Sequence, residues 1–313
     1  MLIDRRGLLA GTGLLLTLPG SAFAQRRSEI GGQQDLVPLW PGEAPGGGGP
    51  GGPVAMSEKG AMSNIAVPAL EVYRPTRPNG AAMLVAAGGG YKRIEMENEA
   101  RPAARWLAAR GITAFVLRYR LPGEGWREGP LAPLQDAQRA LRVIAADGVH
   151  HGIDAGRIGV LGFSSGGHLM GLAATRAAFA SYRPVDGIDT AAARTAEAAL
   201  IYPVVTLEPP YDHTSTRIEL IGRHPSAAAS ADWSVETHVR EHCPPMFLVQ
   251  AEDDPISNIA NSAILEQACK SAGVSVDRHV LPSGGHGFGM GTPGTPTGQW
   301  PGWCASWLSS HGA

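Results

Sequence analysis

Ser164 stands at the centre of Gly162-Phe163-Ser164-Ser165-Gly166, a G-x-S-x-G pentapeptide of the kind that presents a serine as a nucleophile. A serine hydroxyl is a poor nucleophile at neutral pH. It needs a general base within hydrogen-bond reach, and a carboxylate that fixes the base's tautomer and stabilises its imidazolium. Both residue types lie downstream: Glu252-Asp253-Asp254-Pro255, and His286 within Ser283-Gly284-Gly285-His286-Gly287-Phe288-Gly289. With 42 glycines among 313 residues the pentapeptide alone is weak evidence, and a helix-capping serine is the bland alternative, so the elements around it must decide.

Those elements fit. RIGVLGF runs into the motif and SSGGHLMGLAA leaves it, so Ser164 falls at a strand-to-helix turn that lifts its oxygen out of a sheet, with flanking glycines relieving the crowding. The helix start also aims backbone N–H groups and a positive dipole end at any anion formed there. Strands are predicted over 70–73, 82–87, 112–119, 157–162, 198–203, 246–251 and 276–281, and helices around 99–110, 133–148, 165–179, 258–272 and 298–309. Near-continuous apolar strands such as MLVAA and IGVLGF read as buried on both faces, as in an α/β fold with a mostly parallel central sheet and helices on both sides. Residues 204–243 break the rhythm with Pro, His and aromatic residues and are expected to form a small cap over the carboxyl ends of the strands.

The carboxylates and His286 each follow a strand, in the chain order Ser, acid, His that such an elbow requires. His286, flanked by glycines, has the freedom to reach Ser164, although a solvated loop histidine is the alternative. His168, four residues past Ser164, is expected to pack or hydrogen-bond instead. Asp254 is preferred as the acid because a residue before proline adopts an extended or turn conformation; Asp253 comes next and Glu252 third, the remainder capping the helix that begins near Ser257. A tetrahedral oxyanion needs two donors, one from the Ser165 amide and one from Ala87-Gly88-Gly89-Gly90-Tyr91 after an early strand. No Gly-Lys-Ser/Thr follows the triple glycine and no second half of a dinucleotide fingerprint appears, so a phosphate loop is disfavoured.

The combination of GGGY, Glu99, ARWLAARGITAFVLRYRLP, GRIGVLGFSSGGHL, AEDDP and GGHGFG resembles the acetyl-esterase and acetylxylan/feruloyl-esterase-like branch of the α/β hydrolases, over roughly residues 68–310. The resemblance implies an α/β-hydrolase fold, a triad of Ser164, Asp254 and His286, and an oxyanion hole of Gly89, Gly90 and the Ser165 amide. Hormone-sensitive-lipase relatives would carry histidine where this chain has Ala87, which weakens any extension to lipid or aryl esters. No metal or organic cofactor is implied, and no spaced His/Asp/Glu cluster argues for one.

A formal net charge of −2 without a Lys/Arg-rich run argues against nucleic acid as a partner; the expected partner is a small-molecule or oligosaccharide ester. Tyr91, Tyr211, His213 and Trp233 are the candidate substrate contacts, since a polar, aromatic-dotted cap suits a sugar face better than a fatty chain. Arg5-Arg6, the apolar run 8–18 and Ala22-Phe23-Ala24 make residues 1–24 a signal peptide that resembles the twin-arginine type, so export to a periplasm or beyond is expected. An uncleaved anchor is the alternative, but the run falls short of the roughly 18 apolar residues of a membrane span, and no stable insertion is expected after cleavage. Residues 25–67, including PGEAPGGGGPGGP at 41–53, read as an exposed Gly/Pro-rich arm, and residues 68–313 as the catalytic domain. Cys243, Cys269 and Cys304 show no CxxC spacing; one disulfide is allowed, and a buried small hydrophobe is the simpler reading of each. The function expected is an exported serine carboxylic-ester hydrolase acting on short acyl esters of carbohydrate. Its rivals are a serine peptidase-like hydrolase and a non-catalytic binding protein of the same fold.

Overall fold

The computed structural model describes residues 35–148 and 152–312. The predicted signal peptide lies outside them. Ten strands are present among the described residues: β1 Asp35–Pro38, β2 Ala55–Met56, β3 Met62–Ser63, β4 Ala69–Tyr73, β5 Ala82–Ala86, β6 Thr113–Arg118, β7 Ile158–Phe163, β8 Ala198–Ile201, β9 Met246–Ala251 and β10 Val276–Leu281. The α-helices are α1 Arg101–Ala108, α2 Ala132–Asp147, α3 Ser164–Thr175, α4 Ser215–Ile221, α5 Ala227–Asp232, α6 Ala260–Ser271 and α7 Trp300–His311.

Eight strands form one sheet in the order β1-β4-β6-β5-β7-β8-β9-β10. β4 is antiparallel to both β1 and β6, and every other pairing is parallel. Every residue of β5, β7, β8 and β9 is buried, which is why their sequences run apolar without alternation. Two neighbours at the end of β7 show that both faces are covered. A side chain added at Gly162 would collide with Gly166 and Gly167 of α3, whereas the Phe163 ring meets Trp300 of α7 at 6.1 Å. Successive strand residues point to opposite faces, so α3 and α7 cover opposite sides. On those sides α2 lies against α3, and Trp106 of α1 meets Trp300 of α7.

The expectation of an exposed arm over 25–67 is corrected in part: residues 51–59 are exposed, but the described chain on either side of them is anchored at several points. β1 extends the sheet, and Leu39 and Trp40 are buried. Trp40 Nε1 donates to Asp136 at 2.9 Å, Arg139 Nε donates to the Leu39 carbonyl at 2.8 Å, and Arg120 Nη1 donates to the Pro45 carbonyl at 2.9 Å. Gly48 and Gly49 let this segment pack closely, whereas Gly42, Gly51 and Gly52 face open space. Gly48 and Gly49 hold φ of 85° and 90°, and a Cβ on them would stand 2.7 Å from the Gly125 carbonyl and 2.4 Å from the Trp126 ring. At these two positions glycine serves the close approach of backbone to backbone and to a ring.

Residues 204–243 carry α4, α5 and a 3-10 turn at Glu236–His238. The segment is tied down by Asn261, whose Oδ1 accepts the Val205 and Thr206 N–H groups, and by Ser234, whose Oγ accepts that of Leu207. Cys243, Cys269 and Cys304 are all free and buried, so none of the three forms a disulfide here. Among the described residues no helix is long and apolar enough to cross a membrane.

Candidate active site

β7 passes into α3 with no intervening residue, and the junction is Ser164 at φ 51°, a conformation costly for a residue with a Cβ. Gly162 and Gly166 make it possible. A Cβ on Gly162 would lie 2.3 Å from the Gly166 carbonyl, and one on Gly166 would lie 2.3 Å from the carbonyl of Ala86. The strained turn holds Ser164 Oγ 2.7 Å from His286 Nε2, and His286 Nδ1 is 2.8 Å from Asp254 Oδ2. The Asp254 side chain is fully buried, and its other oxygen accepts the N–H groups of Ile256 and Ser257 at 2.8 and 2.9 Å. A carboxylate can only accept, so Nδ1 carries the imidazole proton and Nε2 is left to accept from the serine hydroxyl. These side chains meet because β7 and β9 are separated only by β8 and β10 lies beside β9, all parallel, so the segments that follow them leave from one edge of the sheet.

The two neighbouring aspartates have different partners. Asp253 Oδ1 accepts the N–H groups of Gly284 and Gly285 at 2.9 and 2.8 Å, which braces the loop before His286; Glu252 is exposed. On the other side of Ser164, the glycine loop is held by Tyr119, whose hydroxyl donates to the Ala87 carbonyl at 2.8 Å. The expectation that both Gly89 and Gly90 offer donors needs correction. Gly90 N–H is already engaged by Ser165 Oγ at 2.8 Å, and Gly88 N–H by Glu99. Gly89 N–H has no protein acceptor among the described residues, and the Ser165 amide lies in the first turn of α3, where no helix carbonyl precedes it.

A cleft of about 530 Å³ opens over Ser164 and His286. Thr214, Ser215 and Thr216 line it from the cap, together with Asn98, Lys59 and Lys92, and Val204 and Ile256 are the only aliphatic residues of the lining. None of the four candidate substrate contacts lines it. Tyr91 is buried, its hydroxyl 3.1 Å from His168 Nδ1; the Trp233 ring packs against the core, its carbonyl accepting from His168 Nε2 at 2.7 Å; Tyr211 is half-buried, and His213 is exposed. The cap turns its hydroxyl-bearing helix start towards the cleft and its aromatic side chains elsewhere. His168 is neutral, its pKa pushed down to about 4 by burial against the weaker pull of the Trp233 carbonyl, and it ties the cap to Tyr91. Sequence reasoning missed Ser215, Thr216 and Tyr202 as candidate site residues. Tyr202, which directly follows β8, carried the one available signal, its place at a strand's carboxyl end. Among the described residues no three His, Cys, Asp or Glu side chains gather to hold a metal ion.

A strained strand-to-helix turn at the carboxyl edge of a mostly parallel sheet, with helices on both faces, makes this an α/β-hydrolase fold. Residues 70–269 match BD-FAE, and the chain belongs to that family. It is 30% identical over 224 residues, 70% of its length, to an acetylxylan esterase of Xylanibacter ruminicola, and 31% identical over 208 residues, 66% of its length, to endo-1,4-beta-xylanase B of Butyrivibrio fibrisolvens. The chain spans less than half of these curated relatives, 43% of the first and 32% of the second. Among solved structures, an acetyl ester-xyloside bifunctional hydrolase from Caldicellulosiruptor lactoaceticus superposes with a TM-score of 0.75 at 30% identity, covering 91% of this chain and 99% of that one. An esterase from Thermogutta terrifontis shares the fold at 22% identity, with a TM-score of 0.66 over 84% of this chain and 95% of its own.

Proposed function

We propose that this chain is a serine carboxylic-ester hydrolase that removes short acyl groups, acetyl above all, from carbohydrate. The observation that carries the reading is the file of Ser164, His286 and Asp254, joined by contacts of 2.7 and 2.8 Å. His286 Nε2 takes the hydroxyl proton as Ser164 Oγ attacks the ester carbonyl, and Asp254 stabilises the imidazolium that results. The negative charge passes to the carbonyl oxygen, which the Gly89 and Ser165 amides receive. Collapse breaks the bond to the alcohol, which leaves with the proton from His286, and an acyl-serine remains. Water then attacks that acyl group with His286 again as base, releasing the acid and restoring Ser164.

The polar lining of the cleft supports a hydroxylated alcohol portion over a fatty one, which would want a long apolar wall. The names of the relatives support acetylated xylan or xylosides as the substrate class. The twin-arginine-like pattern of residues 4–24 supports export to a periplasm or beyond.

The test compares acetylated xylo-oligosaccharides with acetyl, butyryl and octanoyl esters of one chromogenic alcohol. Acetate release from the sugar and the highest kcat/KM for acetyl are expected. A maximum at octanoyl with no acetate released would overturn the substrate class. Ser164→Ala is expected to lower kcat/KM at least about 10⁴-fold while the protein stays folded, and a serine-directed organophosphonate should label Ser164 alone. Substantial turnover by folded Ser164→Ala would overturn the mechanism.

A further inference from the structure

Behind the nucleophile lies a buried carboxylate that the reaction above does not use. Glu99 is 2% exposed, and among the described residues no cation stands within 4.0 Å of its carboxylate. Its Oε2 accepts the Gly88 N–H at 2.5 Å, and its Oε1 accepts the Tyr202 hydroxyl at 2.9 Å. That hydroxyl accepts the Gly289 N–H at 3.0 Å. The Tyr202 ring meets the His286 ring at 4.9 Å and the Phe288 ring at 4.4 Å, both edge to face. A hydrogen-bond path with every donor and acceptor matched thus runs from the glycine loop on one side of Ser164 to the histidine loop on the other. Glu99 sits on a π-helical turn, Met96–Ala100, a rare conformation, and its neighbour Asn98 donates from Nδ2 to the Gly287 carbonyl at 3.0 Å.

A carboxylate is an expensive group to bury without a cation. Burial pushes the Glu99 pKa up to about 7, against the Gly88 N–H and the Tyr202 hydroxyl, which hold it down. Filling the same space with an apolar side chain would avoid that cost but would leave Gly88 N–H without an acceptor and Tyr202 hydroxyl without its bond. An ionised carboxylate offers two acceptor oxygens and no donor, which is what two inward-facing donors require.

We propose that Glu99 and Tyr202 are positioning residues that hold the oxyanion loop and the His286 loop in register across the nucleophile, through the path Gly88–Glu99–Tyr202–Gly289. The inference rests on the roles given above to Ser164, His286 and the Gly89 amide. Glu99 borders the cleft, but it takes no proton and forms no bond in the reaction above; its hydrogen bonds go to the glycine loop and, through Tyr202, to the histidine loop, and it acts through them. Tyr202→Phe removes one oxygen and with it both bonds that meet there. Glu99→Gln turns an amide donor towards one of the two donors it now accepts from.

The experiment measures Tyr202→Phe, Glu99→Gln and the double variant with a short acetyl ester, normalising each rate to the sites labelled by a serine-directed organophosphonate. Each single variant is expected to lose about 10- to 100-fold in kcat per labelled site with KM nearly unchanged, since misplacing a catalytic group by about 1 Å costs that much. The double variant should be no worse than the more impaired single variant, because either change breaks the same path. If kcat per labelled site stays within about two-fold of the parent while only thermal stability falls, the role is structural and the inference is overturned. Multiplying losses in the double variant would overturn the shared path. Tyr202→Phe keeps the test open should Glu99→Gln fail to fold. Failure of the parent protein to take the label at Ser164 would instead sink the hydrolase reading, a different result.

Discussion

At the scale of single residues the site turns on the division of labour between two adjacent aspartates. Asp254 Oδ2 faces His286 Nδ1, whereas Asp253 accepts two backbone N–H groups of the loop that carries His286. Replacing each carboxylate by its amide should therefore give unequal losses. Asp254→Asn cannot stabilise an imidazolium and favours the wrong tautomer, so a fall in kcat of about 10³- to 10⁴-fold is expected. Asp253→Asn keeps an oxygen for Gly284 and Gly285, and its loss should stay within about ten-fold. Steady-state kinetics of the two variants at one pH checks this, and the reverse ranking would move the acid to Asp253. The preference for Asp254 came from the proline that follows it. Proline restricts the backbone but says nothing about which carboxylate turns inward, and the inward turn is fixed here by the Ile256 and Ser257 amides.

At the scale of elements the site depends on how closely α3 approaches β5. Gly166 of α3 stands where a Cβ would be 2.3 and 2.4 Å from the carbonyls of Ala86 and Ala87. Those are backbone atoms at the root of the glycine loop and cannot swing aside. Gly166→Ala should thus destabilise by about 1–3 kcal/mol or more and lower activity together, since either α3 or the glycine loop must shift. Gly302 supplies the contrast: it lies in α7, and a Cβ added there would meet nothing within 4 Å. Gly302→Ala should stabilise by about 0.5–1 kcal/mol with activity unchanged. Thermal melts of the two variants check both signs. Helix α3 itself was legible because the GFSSGG motif marks its start. The short helices of the cap were not, because α4 and α5 span only seven and six residues and carry too little periodicity to be seen.

At the scale of the whole molecule, buried carboxylates couple folding to pH. Glu197 is 3% exposed with Oε2 unbonded, and burial raises its pKa from 4.5 to about 7 despite the attraction of Arg157. The folded state then holds a proton that the unfolded state has lost between about pH 4.5 and 7, so stability falls as pH rises through that window and the full cost is present above it. Glu197→Gln removes the titration. Relative to the parent, it should gain about 1–3 kcal/mol between pH 5 and pH 8, measured by urea unfolding at both values. An equal effect at the two pH values would show that Glu197 does not titrate in that range. Glu99 carries the same sign in the parent and in the variant, so the comparison isolates Glu197.

Local pattern alone determined the central strands of the sheet and the candidate chemistry, but not the edge strand β1. IGVLGF and MFLVQA read as buried parallel strands because both faces are apolar, and the observed strands Ile158–Phe163 and Met246–Ala251 lie within one residue of the predicted spans. The elbow was legible because a strand, a glycine-flanked serine and a helix follow one another without a gap, and Asp254 and His286 because each closes a segment after a strand. What depends on atoms distant in sequence was left to the tertiary structure. Trp40 finds Asp136 across 96 residues, which converts a supposed loose arm into part of the core. Gly90 gives its N–H to Ser165 Oγ 75 residues away, and Tyr202 finds Glu99 across 103. Tyr91 turns its hydroxyl inward to His168, and Trp233 gives His168 its backbone carbonyl, and neither lines the cleft. Periodicity reports which face of an element is buried, because burial is averaged over several side chains. Which single donor meets which single acceptor is decided by the packing of whole elements, and no local spacing encodes it.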